Sequence, residues 1–252
     1  MGMEFIDLTF LRVEEIATQT RAFFFSKPEG FSYKAGQYAM LRLPAERLVE
    51  PDIRSGMRPL SIASAPGDAE LVFVMREGTT GFKQTMWDLK PGESILLGGP
   101  LGNATVSETD NRPVAILSGG VGVAPARSML RDAVDRGDLR KYVLFYSNRT
   151  LPDAAFHSEI SALNLHDFTY VWTLTKAETA PSEPGEERGY ITADMIEKYL
   201  PEWQGALYYV IGAPAFADSM KAVLLAMGIA EGNIHMDPFA GLTGASSATK
   251  AS

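Results

Sequence analysis

Hydrophobic and polar positions follow two different patterns along the chain, and the change falls near residues 104–112. In the first part, short runs of β-branched and aromatic residues are separated by turns that contain Pro and Gly, which predicts strands with one short helix. The predicted strands are residues 5–13, 20–25, 38–43, 59–64, 71–75 and 95–98, and the helix is 82–89. Strands at this spacing favour a small antiparallel β-barrel.

From Pro113 onward, apolar strands alternate with helices, and this alternation predicts a doubly wound parallel sheet. The predicted strands are 114–117, 142–146, 168–174, 207–211 and 234–236, and the helices are 126–136, 155–163, 193–200 and 215–227. We therefore expect a β-barrel domain over residues 1–108 and an α/β domain over 109–244. The Glu-, Pro- and Gly-containing segment 176–188 predicts a mobile loop, and residues 245–252 predict a disordered tail.

Composition and charge narrow the class of protein. The 252 residues are 46% hydrophobic and 21% charged, as in ordinary globular proteins. No apolar run approaches the roughly 18 residues of a membrane helix, and the first residues lack signal-peptide features, so we expect a cytoplasmic protein. The formal charge of −8 argues against nucleic acid or an anionic membrane as the main partner.

The sequence contains no cysteine, which excludes disulfides, thiolate zinc sites and cysteine-ligated iron–sulfur clusters within it. Its three histidines, His157, His166 and His235, lack the spacing of metal ligands. We expect no metal site, and any electron-transfer role would need an organic cofactor or a separate partner.

One glycine-rich stretch is the leading candidate for a binding site. Residues 118–125 read Ser-Gly-Gly-Val-Gly-Val-Ala-Pro and lie between a predicted buried strand and a predicted helix. Glycines let backbone N–H groups approach a pyrophosphate, and the positive end of the following helix faces the anion. Pro125 fits the first helical turn, although it occupies the place of the third glycine in the Rossmann fingerprint. The alternative is a tight turn without a ligand.

Further motifs stand in a fixed order around this stretch. They are Ala35-Gly36-Gln37-Tyr38, Arg58-Pro59-Leu60-Ser61, Gly99-Pro100-Leu101-Gly102, Tyr146-Ser147-Asn148-Arg149, Gly212-Ala213-Pro214 and Phe239-Ala240-Gly241. With the glycine stretch, they make the chain resemble the ferredoxin–NADP reductase superfamily over nearly its whole length. Specifically, the chain resembles the bacterial FAD-dependent members that lack a fused iron–sulfur domain.

The resemblance implies an FAD site in the barrel. Arg58 would hold the FAD pyrophosphate, and the neighbouring Pro59 and Leu60 would line the flavin, with Leu60 replacing the family's usual tyrosine. The Ser61 hydroxyl would lie near the flavin nitrogen that accepts the hydride, and is a candidate catalytic group. A second set of FAD contacts falls at the next strand and helix, at Val74, Arg76, Gly81, Phe82 and Lys83. Lys83 could equally be a solvated side chain.

The resemblance also implies a nicotinamide nucleotide site in the α/β domain. The pyrophosphate would lie at Gly119, Gly120, Val121, Gly122 and Pro125. Ser147, Asn148 and Arg149 would read the ribose, and a hydroxyl beside an arginine favours NADPH over NADH. Alternatively, Arg149 pairs with Asp153.

Two later segments complete the implied site. Gly212, Ala213 and Pro214 would close over the nicotinamide, and Thr175 could touch the adenosine half. At the C-terminal end, Asp237 and Phe239 would lie near the second flavin face as further candidate catalytic groups, and Leu242 replaces another tyrosine common in the family.

Together these features predict an enzyme that transfers a hydride from NADPH or NADH to FAD and then passes electrons to a separate redox protein, such as a ferredoxin or an oxygenase component. The acidic total charge would repel an acidic ferredoxin unless a basic rim around Lys34, Lys83 or Arg12 faces it. Two alternatives stay open: direct reduction of free flavin, quinone or a ferric chelate, and a non-catalytic nucleotide-binding regulatory subunit.

Overall fold

Residues 3–49 and 56–238 are described by a computed structural model. The first sheet is antiparallel, with the strand order β4-β3-β6-β1-β2-β5. Its elements are β1 Phe5–Ala17, β2 Thr20–Ser26, β3 Tyr38–Arg42, β4 Met57–Ser61, β5 Glu70–Arg76, helix α1 Gly81–Trp87 and β6 Ser94–Leu101. Each predicted element of this half is confirmed, with ends shifted by up to four residues.

This first sheet curls into a barrel around an aromatic core that includes Phe10, Phe23, Phe25 and Phe73. Its edge strands are β4 and β5, and they meet just beyond β4, where Ile62 forms a bridge to Phe73. The bridge joins the two edge strands at one end of the barrel. Helix α1 is the next element after β5 along the chain.

The second sheet is parallel, with the order β10-β9-β8-β7-β11-β12. Its strands are β7 Val114–Gly119, β8 Lys141–Asn148, β9 Asp167–Leu174, β10 Glu186–Arg188, β11 Leu207–Gly212 and β12 Ile234–Pro238, and its helices are α2 Val123–Asp135, α3 His157–Ser161, α4 Ala193–Tyr199 and α5 Pro214–Ala226. The chain winds outward from β7 to the edge strand β10 and then returns to β11 on the other side of β7. This reversal between β7 and β11 is the point where doubly wound sheets bind ligands.

The strands of this sheet are apolar on both faces because helices cover both faces. One face, with Ile116, Leu144 and Ile211, packs on α2 and α3 and also on Ala35 of the barrel. The opposite face packs on α4 and α5. The predicted doubly wound domain is thus confirmed.

The expectation of a mobile loop over residues 176–188 is wrong for its last three residues. Glu186–Arg188 form the edge strand β10, which pairs in parallel with Trp172–Leu174. The Arg188 guanidinium donates to the carbonyl of Thr179 at 2.5 Å and to that of Ala180 at 2.9 Å. These bonds hold the loop against the sheet. They join residues eight and nine positions apart, so local composition does not predict them.

The two halves share an interface rather than a bare linker. A small cluster joins Ala63, Val72 and Val74 of the barrel to Ala124 of α2. In addition, the Tyr209 hydroxyl donates to the carbonyl of Thr105 at 3.1 Å. Within the described part of the chain, no helix has the length and apolarity needed to cross a bilayer.

Candidate functional site

The glycine-rich stretch forms a tight turn between β7 and α2. Residues Gly120–Gly122 make one turn of 3-10 helix, and α2 begins directly after it. A Cβ on Gly122 would lie 2.5 Å from the backbone oxygen of Ile211, so only glycine fits there. Gly120 adopts φ +55°, a conformation that also favours glycine. The turn therefore lies against β11 and directs the first amides of α2 into the space beyond the strand ends.

Pro125 lies in the first turn of α2, as predicted. Val121 points from the glycine turn toward the barrel and packs on the cluster that contains Val72, Val74 and Ala63. The glycine turn also lies against β5.

Two polar side chains, Ser118 and Asp237, lie on either side of Ile211 across three neighbouring strands beside this turn. Ile211 pairs with Ser118 on one side and with Asp237 on the other. Ser118 Oγ and Asp237 Oδ2 are both buried and have no hydrogen-bond partner among the described residues. Buried polar atoms nearly always have partners in folded proteins, so two such atoms in one row favour a polar ligand at this edge.

Asp237 also borders a cavity between the halves. The cavity measures about 420 Å³ and is bounded by Gly36, Tyr38 and Asn103 on the barrel side and by His235 and Asp237 on the sheet side. Burial raises the pKa of Asp237. The carboxyl group can therefore hold a proton more readily than an exposed aspartate.

Asp237→Asn is expected to make the protein more stable at pH 7. Because the folded-state pKa of Asp237 is raised, its ionisation stabilises the unfolded state more than the folded state as pH rises above about 3.9. The gain in Tm of the variant should shrink as pH falls toward 4. Thermal unfolding of both proteins between pH 4 and 8 measures the Tm difference, variant minus wild type. A difference that is smaller at pH 7 than at pH 4 would contradict the burial of the Asp237 carboxylate.

Positive side chains gather at the open edge of the barrel. Arg58 lies on β4, Arg76 ends β5 and Lys83 lies on α1. Burial, followed by the nearby charges of Arg76 and Arg58, lowers the pKa of Lys83. Three cationic side chains at one edge of the barrel are suited to bind a polyanion such as a pyrophosphate, and Asp153 lies 3.8 Å from one of them, Arg76.

The same region is shaped by α1. The guanidinium of Arg58 lies 5.2 Å above the ring centre of Phe82, whose side chain is fully buried in the barrel core. Gly81 is the first residue of α1, and the preceding Thr80 hydroxyl accepts from the amide of Lys83. The Phe82 ring therefore packs against the guanidinium of Arg58 and helps to fix its position. The contact of Phe82 with the cofactor stays a prediction.

Ser61 ends β4 and is 5% exposed. Leu60 is half-buried against the barrel core, Pro59 is exposed, and Val74 lies in the cluster between the halves. Their cofactor contacts stay predictions.

The end of β8 carries the predicted ribose-reading residues. Ser147 is half-buried, Asn148 is buried and Arg149 is exposed. Asp153 accepts from the hydroxyl of Thr150 at 2.8 Å and lies 3.8 Å from Arg76. No Arg149–Asp153 pair occurs among the described residues, so this alternative explanation of Arg149 is absent here.

On the far side of the switch point, Gly212 ends β11 and Pro214 begins α5, with exposed Ala213 between them. A Cβ on Gly212 would lie 2.7 Å from the ring of Phe216, and one on Gly119 would lie 3.0 Å from the same ring. Phe216 therefore lies close to both loops, which was not anticipated. Phe239 and Leu242 lie outside the described residues.

Arg12, Lys34 and Lys83, the residues considered for a basic rim, do not form a patch of exposed, unpaired cations in the described ranges. Arg12 pairs with Glu70 at 2.7 Å and with Glu14 at 3.0 Å. Lys83 is half-buried beside Arg58 and Arg76. Of the three cations, Lys34 alone is exposed and without an ion pair in the described ranges.

Comparison with known proteins agrees with this geometry. Residues 116–222 match the family described as the oxidoreductase NAD-binding domain. The chain is 32% identical over 216 residues to the ferredoxin–NAD(P)(+) reductase component of the naphthalene 1,2-dioxygenase/salicylate 5-hydroxylase systems of Ralstonia sp., covering 85% of this chain and 62% of that protein.

Two solved structures share the fold. The cytochrome P450 reductase of Amycolatopsis has a TM-score of 0.77 at 25% identity, with 94% of this chain and 71% of that one covered. A ferredoxin NADP+ reductase from Neisseria gonorrhoeae, solved with FAD and NADP, has a TM-score of 0.77 at 22% identity, covering 94% and 99% of the two chains.

The chain thus has the two-domain fold of ferredoxin–NADP reductases, and its C-terminal half matches the oxidoreductase NAD-binding domain family. The chain spans about 62% of the length of the Ralstonia relative.

Proposed function

We propose that this chain is an FAD-dependent oxidoreductase that takes a hydride from NADPH or NADH and passes the electrons to a separate redox protein, such as a ferredoxin or an oxygenase component. The observation that carries the proposal is the contact between two anion-binding regions. The glycine turn, which contains Val121, lies against β5, the strand that ends in Arg76. Two nucleotide cofactors could therefore bind side by side across the interface. A cytoplasmic location, which the sequence predicts, belongs to the same proposal.

The residues present suit both cofactors. Arg58, Arg76 and Lys83 would hold the FAD pyrophosphate, and the amides after Gly120 would hold that of the nicotinamide nucleotide. The chemistry that FAD supplies, when bound, is acceptance of two electrons from the nicotinamide and their release one at a time.

The protein itself contributes orientation, hydrogen bonds and exclusion of water. The Ser61 hydroxyl can donate a hydrogen bond toward developing negative charge, and Asp237 Oδ2 can hold a proton at the cleft. No acid–base pair is required, because placing the two rings in contact is the main demand of the reaction.

The donor preference is tested by Arg149→Ala. Exposed Arg149 follows Ser147 at the end of β8, and an arginine here would pair with the 2′-phosphate that NADPH has and NADH lacks. We expect the KM for NADPH to rise about 10- to 100-fold, as for loss of a hydrogen bond to a charged group, and the KM for NADH to change little.

Arg112→Ala is a matched control for this experiment. Arg112 is also an exposed arginine of the parallel-sheet domain, but it lies just before β7, at the N-terminal ends of the strands, whereas Arg149 follows the C-terminal end of β8. Arg112 pairs with Asp110. It should leave both KM values unchanged. An equal rise in KM for both donors in the Arg149 variant would refute the assigned role.

The acceptor is tested separately. We expect the rate of reduction of a ferredoxin or an oxygenase component to change with salt concentration, because salt screens the charges through which two proteins meet. Reduction of ferricyanide or free flavin at the same salt concentrations is the comparison. If small acceptors are reduced efficiently and no candidate redox protein is, the direct small-acceptor enzyme replaces this proposal.

A further inference from the structure

Helix α2 connects the two halves of the site physically. It begins directly after the glycine turn, and its second turn presents Arg127 to the barrel. Arg127 is 7% exposed, and its Nη1 donates to the carbonyl of Ala63 at 2.7 Å. The next residue, Ser128, donates from its hydroxyl to the carbonyl of Ser64 at 2.6 Å. Both bonds reach the segment that follows Ser61.

The Arg127 guanidinium is fixed on its other sides as well. Its Nε donates to Glu159 Oε2 at 2.9 Å, and Nη2 lies 2.8 Å from Glu159 Oε1, so the pair is bidentate. The ring centre of Phe156 lies 4.6 Å from the guanidinium carbon. A planar fork satisfies these partners together, whereas a lysine ammonium cannot reproduce the geometry.

The barrel segment that receives these bonds is itself held firmly. The amide of Ala63 donates to Val72 of β5 at 2.8 Å. The Tyr33 hydroxyl lies within hydrogen-bond distance of two carbonyl oxygens, that of Ser64 at 3.0 Å and that of Ala65 at 2.7 Å, and can donate to either. The segment 62–65 therefore acts as a fixed anchor for α2 rather than a loop that follows it.

We propose that Arg127 is a positioning residue that sets the distance between the nucleotide-binding turn and the flavin side of the cleft. The path is short: Arg127 lies about 7.5 Å along the helix from Gly122, and Ala63 lies within about 7 Å of Ser61. A shift at this contact would pass almost unchanged to the reacting atoms. This inference rests on the proposed function, because it assigns Arg127 a role in that reaction.

The test compares Arg127→Gln and Arg127→Lys with Arg136→Gln. Arg136 lies just after the same helix and pairs with Asp132 and Asp138, both in the α/β half. In anaerobic stopped-flow mixing of the FAD-loaded protein with NADPH or NADH, we expect Arg127→Gln to lower the limiting rate of flavin reduction about 10- to 100-fold, in line with the cost of a displacement of about 1 Å. The Kd of the nucleotide should stay within about threefold. Arg127→Lys should recover only part of the rate, and Arg136→Gln should resemble wild type.

Hydrogen exchange of the protein without nucleotide gives a second readout. Peptides covering residues 62–66 and 118–123 should exchange faster in Arg127→Gln, but not in Arg136→Gln. Unchanged reduction rates in both Arg127 variants, or a loss explained wholly by weaker FAD or nucleotide binding, overturn the inference. If Arg127→Gln does not fold, the reduction rate and hydrogen exchange of Arg127→Lys are compared with those of Arg136→Gln instead. A wild-type protein that neither nucleotide reduces would instead refute the proposed function, while hydrogen exchange would still test the contact.

Discussion

Arg58→Ala is expected to weaken FAD binding about 10- to 100-fold, because a hydrogen bond to a charged group contributes about 1.5–3 kcal/mol. Arg58 lies beside Lys83 and Arg76 at the open edge of the barrel, so the loss removes one of three cations from the predicted pyrophosphate site. Fluorescence titration of FAD into the cofactor-free protein measures the Kd directly.

Arg42→Ala is the matched control for this variant. Arg42 pairs with Met57, next to the pair of Leu41 with Arg58, so its side chain lies on the opposite face of the same two strands. It stacks 4.2 Å from the ring centre of Phe5. FAD affinity in Arg42→Ala should match wild type. Equal loss of FAD in both variants would mean that Arg58 supports the barrel and does not hold the cofactor.

Gly122→Ala is expected to damage both the fold and nucleotide binding. The added methyl would lie 2.5 Å from the Ile211 oxygen and 3.1 Å from Gly212 Cα. These are backbone atoms of a central strand, so the glycine turn must move instead. Such overpacking costs about 1–3 kcal/mol of stability, and the displaced amides should raise the Kd of NADPH at least about tenfold.

Gly232→Ala provides the comparison, because a Cβ there meets nothing within 4 Å and the glycine has no positive φ. It should change the free energy of unfolding by less than about 0.5 kcal/mol. Urea unfolding and nucleotide titration of both variants test the packing account. Wild-type stability and nucleotide affinity in Gly122→Ala would contradict it.

The fold was predictable because both halves follow simple local patterns. The run from Val114 to Leu117 is apolar throughout, as expected for a strand covered on both faces, and Pro125 marks the first turn of the next helix. By contrast, β10 depends on Arg188 bonding back to residues 179 and 180, and such contacts leave no periodic signal.

The candidate site was predictable only where a motif carries it. Gly122 and Arg58 stand in recognisable sequence patterns. The structure places Gly122 in the turn between β7 and α2, and Arg58 on β4. Arg127 does not stand out, since an arginine in an amphipathic helix normally faces solvent. Its burial follows from Ala63 and Glu159, which are distant in sequence. Long-range contacts of this kind are visible only in the folded chain.

The measurement that tests the central claim most directly is an anaerobic titration of the purified protein with NADPH and with NADH, followed in the visible spectrum. The proposed function predicts a yellow protein whose flavin absorbance is bleached rapidly by at least one of the two nucleotides. A colourless protein that FAD cannot reconstitute, or bound FAD that neither nucleotide reduces, would contradict it.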